Sequence, residues 1–202
     1  MQRNWTTVSA LLLTLSVLAC GCDIKQKVTG PPPSGGGLVV NEFLASNSSM
    51  GTDEFGESDD WIEIYNRGDR AIDLAGYHIT DDLTAHDKYV IPSGSPAVTT
   101  ILAKGFLLIW CDGQPDQGPL HTGFKLSASG EQIGFYDPTG DTLDELTFGA
   151  QTTDVSYGRT VDGGSTWAYF TAPTPGASNA AVVAGSARLA ISGATIGSGS
   201  GR

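Results

Sequence analysis

A loop with five carboxylates holds the side chains that come closest to a ligand-binding site: Asp53, Glu54, Glu57, Asp59 and Asp60. Carboxylate oxygens in a loop that contains glycine are typical of Ca²⁺ sites, and weak extracellular sites respond to millimolar calcium. The spacing differs from that of an EF-hand, whose longer loop ends in a fixed Glu. A solvated acidic loop that serves turns and solubility is the simpler interpretation. We therefore expect no metal or other cofactor here, with Ca²⁺ as the alternative.

Two pairs of adjacent carboxylates, Asp81-Asp82 and Asp144-Glu145, raise the question of a glycosidase. Such an enzyme needs two carboxyl groups that flank one glycosidic bond. Adjacent residues of a strand point to opposite faces of the sheet. Neither pair is therefore expected to converge on a substrate bond.

The remaining reactive side chains show no catalytic arrangement in the sequence. His78, His86 and His121 lack the close spacing of a metal site, and none has an evident nucleophile partner. Ser156 does not lie in the Gly-x-Ser-x-Gly motif of a nucleophile elbow. Cys111 follows an apolar run, which is typical of a buried cysteine that acts as a small hydrophobic residue. We predict no catalytic residue and no enzymatic activity.

The N-terminus has the pattern of an export signal. Arg3 precedes residues 8–19, an uncharged run of apolar and small residues that is shorter than the ~20 residues of a membrane span. The run ends in Val17-Leu18-Ala19-Cys20, which resembles the bacterial lipobox, where the Cys becomes the lipid-modified first residue. We predict a signal peptide at residues 1–19 and lipidation of Cys20, with Cys22 as the alternative. An ordinary secretory signal, with the two cysteines incidental or paired with each other, is the competing interpretation.

Composition divides the rest of the chain into three parts. Residues 20–37 contain a Pro-Pro-Pro run and a Gly-Gly-Gly run, which predict a tether with no core of its own. Residues 38–179 are long enough for one domain with a sizeable core and too short for two. Residues 180–202 are rich in small residues and predict a flexible tail. We expect an exported protein that a lipid holds to a membrane, in the periplasm or on the cell surface.

The charge of the chain argues against nucleic-acid partners. The net charge is −11, and the isoelectric point is near 4.4. Nucleic acids are bound mainly through Lys and Arg contacts to phosphate. The basic residues are few and scattered rather than clustered in a stripe. We expect no nucleic-acid binding.

Short strand-like segments separated by turn residues indicate an all-β fold that would position these side chains. Leu38–Leu44 is the first, and residues 61–66 alternate so that Ile62 and Ile64 share one face. Phe106–Cys111 is continuously apolar, which predicts a strand buried on both faces. No apolar period of 3.6 residues persists for a full helix. The pattern predicts a β-sandwich or barrel.

A series of motifs gives the chain a family resemblance across residues 38–179. In order, they are Asn41-Glu42, Ala45-Ser46-Asn47, residues 60–66, 73–77, Asp81-Asp82, residues 106–110, 121–127, Gly130-Glu131, and residues 137–140, 154–159 and 174–179. Together they resemble the lamin tail domain as it occurs in exported bacterial proteins. The resemblance implies an immunoglobulin-like β-sandwich that serves interaction or attachment, is often joined to hydrolases, and is not itself catalytic.

The sequence thus predicts an envelope-anchored lipoprotein that displays an immunoglobulin-like module to an unidentified envelope protein or glycan. The membrane is the expected partner of its lipid anchor. A carbohydrate-binding or Ca²⁺-dependent binding module is the alternative. A hydrolase accessory or an enzyme is a third possibility.

Overall fold

A computed structural model describes residues 37–180 of the chain, in which eleven strands, one α-helical turn and one 3-10 turn are the regular elements. The strands are β1 (Leu38–Leu44), β2 (Asp60–Asn66), β3 (Ile72–Asp73), β4 (His78–Thr80), β5 (Tyr89–Val90), β6 (Thr100–Ile101), β7 (Phe106–Cys111), β8 (Gly130–Tyr136), β9 (Thr142–Gly149), β10 (Ser156–Arg159) and β11 (Trp167–Phe170). The helix α1 is Pro96–Thr99, and the 3-10 turn is Pro115–Gln117. The predicted sites Cys20 and Cys22 lie outside the described residues, as do most of the predicted tether and tail.

The strands form two main antiparallel sheets and one small pair. The first sheet has the order β11-β10-β1-β2-β7, the second has the order β5-β4-β8-β9, and β3 pairs with β6. All of these pairings are antiparallel. The chain returns from β9 in the second sheet to β10, which pairs with β1 in the first. This crossing ties the end of the domain to its beginning.

The hydrophobic core lies between the two main sheets. Ile62 and Ile64 of the first sheet and Ile133 and Leu146 of the second belong to one cluster of buried residues. The rings of Phe43 and Phe148 meet across the sheets with centroids 4.5 Å apart. β-Branched and aromatic residues of this kind pack well on a pleated surface. The predicted immunoglobulin-like β-sandwich is confirmed.

The strand β2 is buried on both faces, although its sequence alternates. Ile62 and Ile64 enter the main core as predicted, while Trp61 on the opposite face packs with Leu44 and Trp110 in a second cluster. Met50 covers this second cluster. The loop that joins β1 to β2 therefore covers the part of the outer face around Trp61.

The strand β7 keeps its predicted bounds but is less buried than predicted. Its first half is only half-buried and its second half is buried. The difference follows from its position at the edge of the first sheet. Only its second half has a neighbour on that edge, because Trp110 exchanges backbone hydrogen bonds with Leu120 and Thr122.

Candidate functional site

The acidic loop, residues 45–59, is fixed to the sandwich by two polar side chains. The side chain of Asn47 donates from Nδ2 to the backbone oxygen of Asp59 at 2.9 Å. The backbone N–H of Asn47 donates to Asp60 Oδ1, also at 2.9 Å. Asp154 accepts hydrogen bonds from the amides of Ser48 (2.7 Å) and Ser49 (3.0 Å). The loop is thus held in place at the point where it leaves β1 and where it enters β2.

Asp53 organises the middle of the acidic loop. Its Oδ1 atom accepts hydrogen bonds from the amides of Phe55 (2.9 Å) and Glu57 (2.8 Å). The turn needs Gly56, whose φ of 83° lies in the left-handed region that favours glycine. Asp53 is only 7% exposed, and its Oδ2 atom is buried without a hydrogen-bond partner. A buried oxygen of this kind ordinarily has a partner.

A buried carboxylate–imidazole pair lies beside Asp53. Asp112 and His121 are each 1% exposed, and Asp112 Oδ2 lies 2.5 Å from His121 Nδ1. The other ring nitrogen, Nε2, lies 3.3 Å from Glu54 Oε1. Asp112 directly follows β7. Backbone hydrogen bonds of Trp110 with Leu120 and Thr122 bring His121 to the same end of that strand.

The charge of His121 follows from these contacts. Burial lowers the pKa of His121, but the hydrogen bonds and charges of Asp112 and Glu54 outweigh burial and raise the pKa above its usual value. Both ring nitrogens donate in the protonated imidazole. Asp112 and Glu54 therefore both favour the protonated form of the ring.

Two overlapping groups of side chains have the separation that a metal ion requires. Asp53, Asp112 and His121 form one group, and Asp53, Glu57 and Asp59 form the other. Within each group, one potential ligand atom of each residue lies within 4.8 Å of the others. Asp53 belongs to both. The Oδ2 atom of Asp59, like that of Asp53, is buried without a hydrogen-bond partner.

The structure separates the five carboxylates that the sequence singled out. It brings Asp53, Glu57 and Asp59 together, whereas Glu54 contacts His121 and Asp60 accepts a hydrogen bond from the backbone of the loop. Burial raises the pKa of Asp59, and the neighbouring charge of Asp112 adds to this effect. Burial also raises the pKa of Asp60 to about 6. Burial thus disfavours the ionised form of both carboxyl groups unless a positive charge lies beside them.

Sequence reasoning missed Asp112 and His121. The histidines were assessed by their spacing in the chain, and no spacing rule joins His121 to residue 53. The available signal was the position of Asp112 immediately after a strand that reads as apolar throughout. The end of β7 comes to lie beside the acidic loop only when β2 pairs with β7. In that pairing Asp60, which directly follows the loop, is opposite Cys111, the residue before Asp112.

A second group of charged side chains, the closing cluster, lies where β10 pairs with β1. Its members are the buried residues Glu42, Glu63, Asp144 and Arg159 and the half-buried Asp162. Arg159 Nη2 lies 2.6 Å from Asp144 Oδ2 in a buried ion pair. Glu42 and Glu63 are directly opposite in the β1–β2 register.

The closing cluster holds the last described segment, residues 174–179, against β1 and β2. Glu42 accepts a hydrogen bond from the Thr174 hydroxyl at 2.6 Å, and Glu63 accepts one from the Gly176 amide at 2.7 Å. Asp162 accepts one from the Asn179 amide at 3.0 Å. Glu63, which the alternating pattern of β2 turns away from the main core, is buried because this distant segment covers it.

The other candidate nucleophiles and acids are engaged in structural contacts. The Ser156 hydroxyl donates to Glu42. Burial raises the pKa of the Cys111 thiol well above its usual value, so the thiolate is disfavoured. Asp144 pairs with Arg159, whereas Glu145 accepts a hydrogen bond from the Tyr136 hydroxyl at 2.8 Å. As predicted, the two adjacent carboxylates do not converge.

One open cleft of about 510 Å³ lies where the chain enters the domain. Its lining includes Gly37, Asp69, Arg70, Tyr77 and Asp137. Asp137 is occupied in its own turn, where it accepts hydrogen bonds from Thr139. The cleft therefore offers a mixed polar surface without a catalytic pair.

Comparison with known proteins gives one match. The sequence model of the family described as Lamin Tail Domain matches residues 31–150, which is more than half of the chain. The match ends before β10 and β11, although β10 pairs with β1 in the same sheet. No curated protein and no solved structure shows significant similarity to the chain.

Proposed function

Because this chain belongs to the lamin tail domain family, we propose that it is a non-catalytic interaction module which a lipid on Cys20 attaches to a membrane of the cell envelope. Domains of this family have an immunoglobulin-like fold and typically serve interaction rather than catalysis. The lipid would sit on Cys22 in the alternative form of the proposal. The partner is an envelope protein, with a glycan as the alternative.

The observation that carries the non-catalytic assignment is the engagement of reactive groups in structural bonds. Catalysis of acyl transfer needs a nucleophile within hydrogen-bond reach of a base. Ser156 instead donates to a carboxylate that also binds Thr174, and Cys111 is fully buried with a raised pKa. His121 is bonded through both ring nitrogens to carboxylates. Each of these side chains supports the fold.

The described tryptophans do not support a glycan partner, although Phe55 and Tyr169 are exposed. A sugar platform requires a flat aromatic face open to solvent. Among residues 37–180, Trp61 and Trp110 are buried, and half-buried Trp167 is covered on its faces by Tyr157 and Arg159. The centroids of Trp167 and Tyr157 are 5.4 Å apart with an interplanar angle of 22°. The described tryptophans thus belong to the packing.

Attachment by the N-terminus would confine the domain near the membrane. Tethering raises the effective concentration of a binding module for partners on the same surface. The Pro- and Gly-rich residues 20–37 would set the reach of the domain. Within residues 37–180 no helix has the length and apolar character of a membrane span. The anchor proposed here is the lipid.

Metabolic labelling with palmitate tests the anchor in cells that express the full chain. Label should enter the wild type and Cys22→Ala, be lost from Cys20→Ala, and co-fractionate with membranes. Mass spectrometry of the mature N-terminus should show a modified Cys20. Label in Cys20→Ala but not in Cys22→Ala would assign the lipid to Cys22. Unlabelled wild type, or equal labelling of the double variant, would overturn the anchor.

Cross-linking in intact cells tests the interaction. Wild type should form a discrete adduct with an envelope protein, and a soluble form with both cysteines replaced should lose it at equal abundance. A glycan array should retain neither form. Retention on a glycan that free sugar competes away would support the carbohydrate-binding alternative instead.

A further inference from the structure

The acidic loop contains two buried carboxylate oxygens that lack the partners buried groups normally have. They are Oδ2 of Asp53 and Oδ2 of Asp59. Burying such an oxygen without a partner costs about 1–3 kcal/mol, and more when the group is charged. Asp53 is 7% exposed and the Oδ2 atom itself is buried, so bulk water does not compensate for the missing bonds. A positive ion would supply what both oxygens lack.

The local charge favours the same ligand. The carboxylates at this end of the sandwich are Asp53, Glu54, Glu57, Asp59, Asp60 and Asp112, and the cationic groups beside them are His121 and Lys125. His121 is already committed to Asp112 and Glu54. Lys125 is exposed at the surface, where its charge is well solvated. The negative charge around Asp53 and Asp59 is therefore only partly compensated.

We propose that Asp53, Glu57 and Asp59 bind a calcium ion, with the buried Asp112–His121 pair packed against Asp53 as the fixed wall of the site. The ligand oxygens of the three residues lie within 4.8 Å of one another. Calcium takes oxygens at roughly 2.3–2.6 Å, so oxygens on opposite sides of the ion are about 5 Å apart. The separation in the structure suits this ion.

The donor set is what selects calcium over a transition metal. Imidazole nitrogen is a preferred ligand of Zn²⁺ and similar ions. Here Nδ1 of His121 lies 2.5 Å from Asp112 and Nε2 faces Glu54, so neither nitrogen is free to bind a metal. The available donors are carboxylate oxygens on a loop, with room for water at the exposed Glu57. Hard oxygen ligands in a flexible arrangement suit Ca²⁺, whereas Mg²⁺ demands near-ideal octahedral geometry.

Two amide side chains position the exposed ligand. Glu57 Oε2 accepts hydrogen bonds from Gln117 Nε2 at 2.9 Å and from Gln114 Nε2 at 3.2 Å. Gln114 and Gln117 belong to the segment that follows β7. The backbone N–H of Gln114 also donates to Asp112 Oδ1, at 2.8 Å. Calcium would therefore tie the acidic loop to this segment more firmly than the two amides do alone.

Calorimetry and thermal unfolding of the purified full chain test the site. Calcium chloride should bind with a Kd of about 0.1–1 mM, the range of extracellular sites. At ten times that Kd the melting temperature should rise by roughly 3–6 °C, and EGTA should reverse the rise. Magnesium at the same concentration should give a much smaller shift.

Matched variants separate the site from general charge effects. Asp53→Asn and Asp59→Asn should lose the calcium shift while melting in EGTA no lower than the wild type, which shows that they fold. Asp87→Asn, at an exposed carboxylate outside the loop, should keep the full shift. A wild type whose melting temperature ignores calcium, or a shift that survives in both loop variants, would overturn the proposal.

Titration with zinc tests whether the site binds a transition metal instead of calcium. Zinc chloride should give no specific stabilisation. His121→Gln should still bind calcium in calorimetry because His121 is not a ligand, although its melting temperature in EGTA should fall because Asp112 loses its buried partner. Stabilisation by zinc that disappears in His121→Gln would overturn the calcium assignment and indicate a site at Asp53, Asp112 and His121. The outcome is independent of the lipid anchor and of the interaction partner.

Discussion

The acidic loop and the closing cluster both bury carboxylates, and they differ in what those carboxylates contact. In the closing cluster, Glu63 accepts from the Asn41 amide group at 3.0 Å and from the Gly176 amide at 2.7 Å. In the acidic loop, Asp53 uses one oxygen for its own turn and leaves the other without a donor. A carboxyl group whose two oxygens both have donors in the fold has no bonding capacity left for a ligand, whereas one with an unused buried oxygen does.

The largest expected effect lies in the closing cluster. Arg159→Met leaves Asp144 buried without its counter-charge, which should lower the free energy of unfolding by about 3–5 kcal/mol. Urea denaturation of the full chain measures this change. Arg70→Met, which removes an exposed guanidinium, should change the free energy by less than about 0.5 kcal/mol.

A double variant shows whether the loss comes from the uncompensated charge. Replacing both partners, as in Arg159→Met with Asp144→Leu, should recover much of the stability because no buried charge is left unpaired. A double variant as unstable as the single one would mean that Arg159 acts mainly through its bond to the Val40 carbonyl oxygen.

The second effect is a pH dependence that originates in the closing cluster. Burial raises the pKa of Glu63 to about 8, against an ordinary value of 4.5. The folded protein therefore holds a proton that the unfolded chain releases between these values. Stability from this group is fully present below about pH 4.5 and is lost as pH rises towards 8, by at most about 1.4 kcal/mol per pH unit.

Thermal unfolding in EGTA between pH 5 and pH 8 measures this dependence. The wild type should be less stable at pH 8 than at pH 5, and Glu63→Gln should reduce the difference because its amide does not titrate. Asp87→Asn serves as the control. An unchanged pH dependence in Glu63→Gln would assign the titration to another group, such as Glu42, whose pKa burial also raises.

The smallest effect is expected in the acidic loop without calcium. Asp59→Asn removes one of several like charges, so stability in EGTA should stay the same or rise by up to about 1 kcal/mol. Urea denaturation in EGTA provides the measurement. A loss above about 2 kcal/mol would show that Asp59 has a structural partner and would place the loop in the same class as the closing cluster.

The fold was predictable because its signals are local. The predicted bounds of β1 and β7 match those of the structure, and residues 137–140, which contain Pro and Gly, separate β8 from β9. Residues 123–126 form no strand and contribute only an isolated bridge between Asp112 and Lys125. The short β6 was missed because Thr100 and Ile101 directly follow a helical turn.

The candidate site was only partly predictable because its assembly is not local. The acidic loop is visible in the sequence as a run of carboxylates, but the run does not reveal which oxygens are buried without a donor. Asp112 and His121 join it only after β2 and β7 pair and the segment at residue 121 aligns beside Trp110. The burial of Glu63 was unpredictable for the same reason, because Gly176, far along the chain, donates a hydrogen bond to it and covers it.

Hydrogen exchange of the full chain with and without calcium compares the two regions most directly. With 10 mM calcium we expect slower exchange at residues 51–59 and 112–117, and unchanged exchange at residues 156–159 and 174–179. Asp53→Asn should show no calcium effect at any of these amides. Exchange in the acidic loop that is unaffected by calcium, or protection that appears in the closing cluster instead, would contradict the assignment of the unpaired carboxylates as ligands.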